Sequence, residues 1–174
     1  MGYRRLYRWL GLAFLLCLGA AWMATPTGAQ PIFTSDTPWG FRWGEPRESR
    51  AATREQAVSR YNYCPTGGCV LRLDSVQVRP LRARKGEGLT LTTVYTILTP
   101  EQTSIPVTIS REIFFQGKSL GKTKEMESRK ANGSWTQEVN FSLPDNASPG
   151  DYTMVTTVSA PYGMDSKNAQ FSVY

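Results

Sequence analysis

From residue 69 to the C-terminus, apolar and polar side chains alternate with a period of two residues. This period is typical of β-strands that have one face in a hydrophobic core and the other in solvent. Stretches rich in Gly, Pro, Asn, Asp and Ser separate the alternating runs, as expected for turns. The pattern predicts seven strands, one of them around residues 120–130. The apolar faces of the other six carry Leu71, Leu73, Val76 and Val78; Leu89, Leu91, Tyr95 and Ile97; Ile105, Val107, Ile109, Ile113 and Phe115; Trp135, Val139, Phe141 and Leu143; Tyr152, Met154, Val158 and Ala160; and Ala169, Phe171 and Val173.

The first of these strands, VLRLDSVQV, changes phase at Asp74 and Ser75. Leu71 and Leu73 lie at odd positions before this point, whereas Val76 and Val78 lie at even positions after it. A β-bulge, or a switch between sheets, would return both halves of the strand to the core.

Seven short strands with turns at this spacing predict an all-β fold, a two-sheet antiparallel β-sandwich of roughly one hundred residues. The segment SLPDNASPGDYTMVTTVSA resembles the E–F corner of immunoglobulin-like domains, because Leu143 ends one strand, a turn follows, and Tyr152 opens the next. The final SKNAQFSVY is similar to the last strand of such a domain. The resemblance implies a seven-stranded immunoglobulin-like sandwich over about residues 70–174, with Tyr152 as a buried corner tyrosine whose hydroxyl bonds to the backbone.

Two features depart from the antibody pattern. No cysteine lies in the presumed B or F strand, and Trp135 lies on the presumed E strand instead of the C strand. The chain is therefore more similar to disulfide-free bacterial immunoglobulin-like or fibronectin type III modules. Domains of these kinds mostly bind, brace or space other molecules, so the resemblance implies an interaction module and not an enzyme.

The N-terminus predicts an export signal. It reads MGYRRLYR, then the apolar run WLGLAFLLCLGAAWMA, then TPTGAQ, with small residues placed for a cut before Gln30. The alternative is an uncleaved membrane anchor in which residues 9–24 contact the bilayer. On either interpretation the rest of the chain works outside the cytoplasm, as a periplasmic or secreted domain. The predicted organisation is a signal or anchor at 1–29, an N-terminal arm at 30–68, and the sandwich at 69–174.

The net charge of +6 overstates the basicity of the exported part. Three of the twenty basic residues lie in the first eight positions, and all fourteen acidic residues come later. From residue 30 onward seventeen basic residues face fourteen acidic ones, a balance of +3. This balance gives little support to a nucleic-acid partner.

The arm ends in CPTGGC, which brings Cys64 and Cys69 close together. Thiols outside the cytoplasm tend to be oxidised, so the sequence predicts a structural disulfide between these two cysteines. A redox-active pair is the first alternative, although four residues intervene and Pro65, Gly67 and Gly68 predict a turn. A metal site is the second, although the chain contains no histidine to complete it.

The absence of histidine also removes several kinds of catalysis. Ser-His-Asp and Cys-His nucleophilic machinery both need an imidazole, and the sequence has none. No Gly-rich phosphate loop precedes a predicted helix. We therefore expect no cofactor, no metal and no enzymatic activity.

Two features of the arm are candidate partner-binding elements. In TPWGFRWGEP, the side chains of Trp39, Phe41 and Trp43 would fall on one side of an extended chain. This aromatic row could dock on a protein partner, stack on sugar rings, or cover an edge or end of its own domain.

The second element is a short helix predicted at about residues 46–60, with Pro46 in its first turn. Arg47, Arg50 and Arg54 would then share one helical face. This face could be solvated on the sandwich, or it could contact a partner, an anionic lipid or a cell-wall polymer.

A second basic cluster, RPLRARK, contains Arg79, Arg82, Arg84 and Lys85 in the loop after the first predicted strand. It could be a solvated loop, or it could bind an acidic polymer, phospholipid headgroups or an acidic subunit.

Taken together, the sequence predicts an exported non-catalytic interaction module that binds a partner protein or a cell-envelope component. The alternative is a membrane-anchored accessory subunit whose sandwich braces a membrane complex.

Overall fold

The computed structural model describes residues 40–64, 66–123 and 126–174. The chain divides into two compact units, residues 1–30 and 31–174, and all described residues belong to the second. Within the described ranges, no helix is long and apolar enough to cross a membrane. The predictions for residues 1–29 and for Trp39 lie outside the described residues.

Eleven strands and one helix make up the described part of the chain. They are β1 (Arg42–Trp43), β2 (Arg47–Ala52), α1 (Arg54–Tyr61), β3 (Val70–Arg79), β4 (Arg82–Ala83), β5 (Gly88–Leu98), β6 (Ile105–Phe115), β7 (Lys118–Lys122), β8 (Met126–Lys130), β9 (Gly133–Ser142), β10 (Gly150–Ala160) and β11 (Gly163–Val173).

The strands form two sheets, which confirms the predicted all-β sandwich. Sheet A has the order β1-β9-β5-β3, and β2 pairs with β9 on the same edge as β1. Sheet B has the order β4-β11-β10-β6-β7, and β8 also pairs with β6. The pairings are antiparallel except that of β4 with β11. The predicted number of seven strands is too low, because the stretch around residues 120–130 holds two strands and the sequence pattern missed β1, β2 and β4.

The core between the sheets consists of two hydrophobic clusters with a polar layer between them. This layer consists of four buried polar residues, one on each central strand. Thr93 on β5 pairs with Gln137 on β9, and Arg111 on β6 pairs with Thr156 on β10. The Arg111 guanidinium donates a hydrogen bond to the Gln137 side-chain oxygen. Because burial penalises its charged form, the pKa of Arg111 falls to about 10, although the Glu48 carboxylate opposes this effect.

The phase change in the first predicted strand is a β-bulge, as expected. In the pairing of β3 with β5 the register shifts between Leu73 and Ser75. The bulge leaves Asp74 between the two halves, where its carboxylate accepts hydrogen bonds from the hydroxyls of Tyr61 and Thr96. Asp74 therefore ties the end of α1 to sheet A.

The predicted helix at residues 46–60 is wrong over its first half. Helix α1 begins only at Arg54, after Thr53, whose hydroxyl accepts a hydrogen bond from the Gln56 amide while the Gln56 side chain accepts one from the Thr53 amide. This reciprocal pair is a capping box, which fixes the start of the helix. Arg47 and Arg50 lie instead on β2, so they do not share a helical face with Arg54.

Strand β2 is held against the sandwich at close range. Its residues pair with β9 from Arg47 opposite Glu138 to Ala52 opposite Ser134. At Gly133, where φ is +136°, an added Cβ would lie 2.7 Å from the Ala52 carbonyl oxygen. A residue with a side chain could not occupy this position without moving the arm, whose strands and helix lie within residues 40–61.

Glu48 on β2 joins the arm to both sheets. One of its carboxylate oxygens accepts a 2.7 Å hydrogen bond from the Tyr95 hydroxyl on β5. The other pairs with the Lys130 ammonium on β8, in the opposite sheet. Burial raises the pKa of the Tyr95 phenol, and the Glu48 carboxylate adds to this effect, so Tyr95 is a donor over a wide pH range.

We predict that Glu48→Ala lowers the free energy of unfolding by about 3 kcal/mol, because it leaves the largely buried Lys130 ammonium and Tyr95 hydroxyl without their acceptor. The matched control is Glu45→Ala, which removes an exposed carboxylate from the same arm and should change stability by less than about 0.5 kcal/mol. Urea denaturation at pH 7 measures both values. Equal losses for the two variants would show that Glu48 does not anchor the arm.

Candidate binding site

A pocket of about 750 Å³ opens at one end of the sandwich. Three segments surround it: the start of the arm, the turn between β6 and β7, and the loop between β9 and β10 at residues 143–149. We call this end of the molecule the arm end and the cavity the end pocket. Its lining consists of Gly40, Phe41, Phe115, Gln116, Lys118, Leu120, Pro144, Asn146, Ala147, Ser148 and Tyr152.

Tyr152 organises the floor of the end pocket. It is 2% exposed, and its hydroxyl donates a 2.8 Å hydrogen bond to the Ser148 carbonyl oxygen, the contact that a corner tyrosine requires. Its ring lies 4.7 Å from that of Phe115 and stacks on that of Phe171 at 5.3 Å. Burial raises the pKa of the Tyr152 phenol, which keeps the hydroxyl protonated as a donor.

The floor of the end pocket is apolar and its rim is polar. Phe41, Leu120 and Tyr152 are buried beneath it, whereas Lys118 and Asn146 are exposed at its mouth. Such a concavity can take an apolar group while polar side chains line its mouth. Sequence analysis identified Tyr152 only as a structural residue, because the strands and loops that meet here are far apart in the chain.

Phe41 and Trp43 do not form the exposed aromatic row that the sequence suggested. They are 2% and 7% exposed, and the Trp43 ring stacks on Phe141 at a centroid distance of 5.0 Å. The reason is that β1 pairs with β9, which directs alternate arm residues into the core. The two side chains therefore do not project into solvent as a docking row; they cover an end of their own domain, where Phe41 also lines the end pocket.

The predicted arginine face is likewise dispersed. Arg47 and Arg50 are exposed on β2, and the Arg50 guanidinium lies 4.9 Å above the Trp135 ring. Arg54 is half-buried at the start of α1. The three side chains do not form one surface.

The basic cluster keeps all four cations exposed, but part of it is ordered as strand. Arg82 belongs to β4, which pairs with the end of β11. The guanidinium groups of Arg82 and Arg84 lie 5.3 Å and 6.0 Å from the centre of the Tyr174 ring. Arg79 and Lys85 flank this pair.

The predicted disulfide is not formed, because Cys64 and Cys69 are both free thiols with exposed side chains. The Cys64 sulfur contacts the Thr66 hydroxyl at 3.0 Å instead of a second sulfur. Hydrogen bonds from the Thr66 side chain, and then from the Thr66 and Gly67 amides, lower the pKa of the Cys64 thiol. No group of three or more His, Cys, Asp and Glu side chains within the described ranges could hold a metal ion.

We predict that Cys64 reacts with iodoacetamide more slowly in Thr66→Val than in the wild-type protein at pH 7.5. The Thr66 side chain makes the largest contribution that lowers the pKa of the Cys64 thiol, and a lower thiol pKa leaves a larger thiolate fraction near neutral pH. Peptide mass mapping of partly alkylated protein follows Cys64, with the Cys69 peptide as the internal control. Equal Cys64 rates in the two proteins would contradict the stabilised Cys64 thiolate.

Fold and site together define the class of the protein as a two-sheet β-sandwich with a pocket at one end. No family model matches the chain, and no curated protein matches it. Among solved structures, it is similar to the alkylpurine DNA glycosylase AlkC of Pseudomonas fluorescens (13% identity, TM-score 0.43), covering 59% of this chain and 30% of that one. It is also similar to the β-glucosidase EmGH1 of Erythrobacter marinus (10%, TM-score 0.44), covering 61% and 16%.

A third similar structure is the CARDB domain of a Pyrococcus furiosus protein, with 12% identity and a TM-score of 0.40. The match covers 62% of this chain and 90% of that domain. The chain thus spans less than a third of the two enzymes, and all three likenesses have TM-scores below 0.5. They carry no argument about activity or ligand.

Proposed function

We propose that the protein is an exported, non-catalytic interaction module that binds a partner protein through the end pocket. The observation that carries this proposal is the end pocket itself, an apolar concavity of about 750 Å³ with a polar rim. It is large enough to take an aromatic or long aliphatic side chain from an extended segment of a partner.

The chemistry of the lining supports binding over catalysis. Among its residues, the ionisable side chains are those of Lys118 and Tyr152. The Tyr152 hydroxyl is already engaged with the Ser148 carbonyl oxygen. Acid–base chemistry needs titratable groups that are free to exchange a proton with a substrate, and the end pocket offers no pair of them.

The strand order supports an immunoglobulin-like interaction domain. Strands β3, β5 and β9 have the relationship of the A, B and E strands, while β6, β10 and β11 have that of C, F and G. In constant-type domains a D strand pairs with E, and here β2 of the arm takes that place on β9. The arm thus contributes to the sandwich itself and also forms one wall of the end pocket.

The proposal is tested with a photo-crosslinking amino acid at Asn146, on the rim of the end pocket, or at Asn168, on β11 outside its lining. In cells of the native source, we expect one discrete protein adduct from position 146 and none from position 168. Ser148→Trp, which fills the mouth and keeps the Ser148 carbonyl bond, should reduce this adduct about tenfold. The matched Asn168→Trp should leave the adduct unchanged.

The adduct identifies the partner by mass spectrometry, and the purified partner should bind the wild-type protein and lose about tenfold in affinity for Ser148→Trp. Thermal unfolding of each variant controls for loss of fold. Identical adducts from both positions, or an adduct that persists in folded Ser148→Trp, would rule out the end pocket as the binding site.

Export is the second part of the proposal, and it rests on the basic, apolar and small-residue segments of the first 29 residues. Protein purified from its native source should have an intact mass that starts at Gln30. A mass that retains Met1 or Gly2 would contradict cleavage. It would favour the alternative of an accessory subunit anchored in a membrane through residues 9–24.

A further inference from the structure

The arm end carries a second surface, separate from the end pocket, that combines exposed apolar side chains with arginines. Leu81 is 60% exposed and Tyr174 is 54% exposed. Arg79, Arg82, Arg84 and Lys85 lie within four residues of Leu81 in the chain and all four are exposed, and the guanidinium groups of Arg82 and Arg84 lie over the Tyr174 ring. We call these six residues the basic patch.

Backbone bonds hold the basic patch in a fixed shape. The Ser172 amide donates to the Leu81 carbonyl oxygen at 2.9 Å, and the Tyr174 amide donates to the Ala83 carbonyl oxygen at 3.1 Å. The Arg84 amide donates to the Glu87 carboxylate at 2.7 Å, which closes the following turn. The patch is therefore presented by a strand pairing and a closed turn, so little conformational entropy is lost when it meets a flat surface.

Exposed cations dominate the basic patch itself, where Arg79, Arg82, Arg84 and Lys85 lie around Leu81 in the sequence. Of the carboxylates described near it, Glu87 is bonded to the Arg84 amide and Asp151 accepts from the Ser172 hydroxyl, while Asp145 lies beside Gly86. Four exposed cations in one short segment favour an anionic surface over a cationic one.

The exposed Leu81 and Tyr174 side chains favour a bilayer over a soluble acidic polymer as the occupant, because the interfacial layer of a bilayer takes up apolar side chains as well as cations.

We propose that the basic patch contacts the surface of a bilayer that contains anionic phospholipids. Arg79, Arg82, Arg84 and Lys85 bind headgroup phosphates, while Leu81 and the Tyr174 ring enter the interfacial layer. Guanidinium groups suit this role because they bind phosphate oxygens in a bidentate manner and stay charged beside an aromatic ring. The proposal does not depend on what occupies the end pocket.

The test uses the chain from Gln30, the start that the export proposal predicts for the mature protein, with Cys64 and Cys69 changed to Ser and an environment-sensitive fluorophore attached at Leu81→Cys. The matched control carries the fluorophore at Met164→Cys, which is 73% exposed at the start of β11, at the opposite end of that strand from β4. Vesicles are phosphatidylcholine alone or with about 30% phosphatidylglycerol. We expect a blue-shifted, brighter emission at position 81 only, and only with the anionic vesicles.

Sodium chloride at about 0.5 M should reverse the change, because it screens exposed charges. Arg82→Gln/Arg84→Gln should weaken the response about tenfold, and circular dichroism confirms its fold. Charge reversal with Glu at both positions should abolish the response. The variant with Gln at both positions keeps the test valid if the variant with Glu at both positions disturbs the packing around Tyr174.

Three outcomes would overturn the proposal. The first is an equal response at positions 81 and 164, which would show contact that is not specific to the basic patch. The second is an equal response with uncharged vesicles, which would show that the contact does not depend on anionic headgroups. The third is a response to a soluble acidic polysaccharide that matches the vesicle response at equal charge, which would assign the surface to an acidic polymer.

Discussion

A sheet edge with unpaired backbone groups must be covered or protected, and in this protein the chain covers the edge of β9 with its own arm. The rest of the structure depends on that contact. It brings Phe41 and Trp43 into the core, brings Glu48 between the two sheets, and gives the end pocket its third wall. The close approach at Gly133 shows how little room the contact leaves. A sandwich without this arm would have a shorter core and an exposed strand at its side.

The two surfaces that we propose as functional lie at the same end of the sandwich. The end pocket has an apolar floor and lies between the start of the arm, the turn between β6 and β7, and the loop between β9 and β10. The basic patch is instead formed by β4 and the residues around it. Their chemistry differs, since one suits an inserted apolar side chain and the other suits a flat anionic layer. A domain with this arrangement could hold a partner close to a membrane, with the end pocket and the lipid surface facing the same compartment.

Sequence reasoning succeeded where local pattern and tertiary structure agree. The period of two predicted the strands of both sheets, and the phase change at Asp74 predicted the bulge.

Sequence reasoning failed in the arm. The segment RESRAA has no apolar alternation and contains good helix formers, so only its pairing with β9 makes it a strand. The capping box at Thr53 and Gln56 was a readable signal for the true start of α1. The spacing of Phe41 and Trp43 correctly predicted that the two side chains lie on the same side of an extended chain. Spacing alone does not show whether that side faces the core or the solvent. Neither the end pocket nor the position of Tyr174 beside Arg82 has a local signal, since both depend on segments that are distant in sequence.

The course of the arm also decides how the domain would respond to mechanical load. From Gly40 the chain runs along β9 in the antiparallel direction, through β1 and then β2. A pull on Gly40 along the strand axis would load the hydrogen bonds of β2 together, in shear, and the Glu48 contact with Lys130 would share the force. A pull across the strands would instead break the same bonds one after another. The pairing of β1 and β2 with β9 therefore resists a pull on Gly40 along the strand axis better than a pull across the strands.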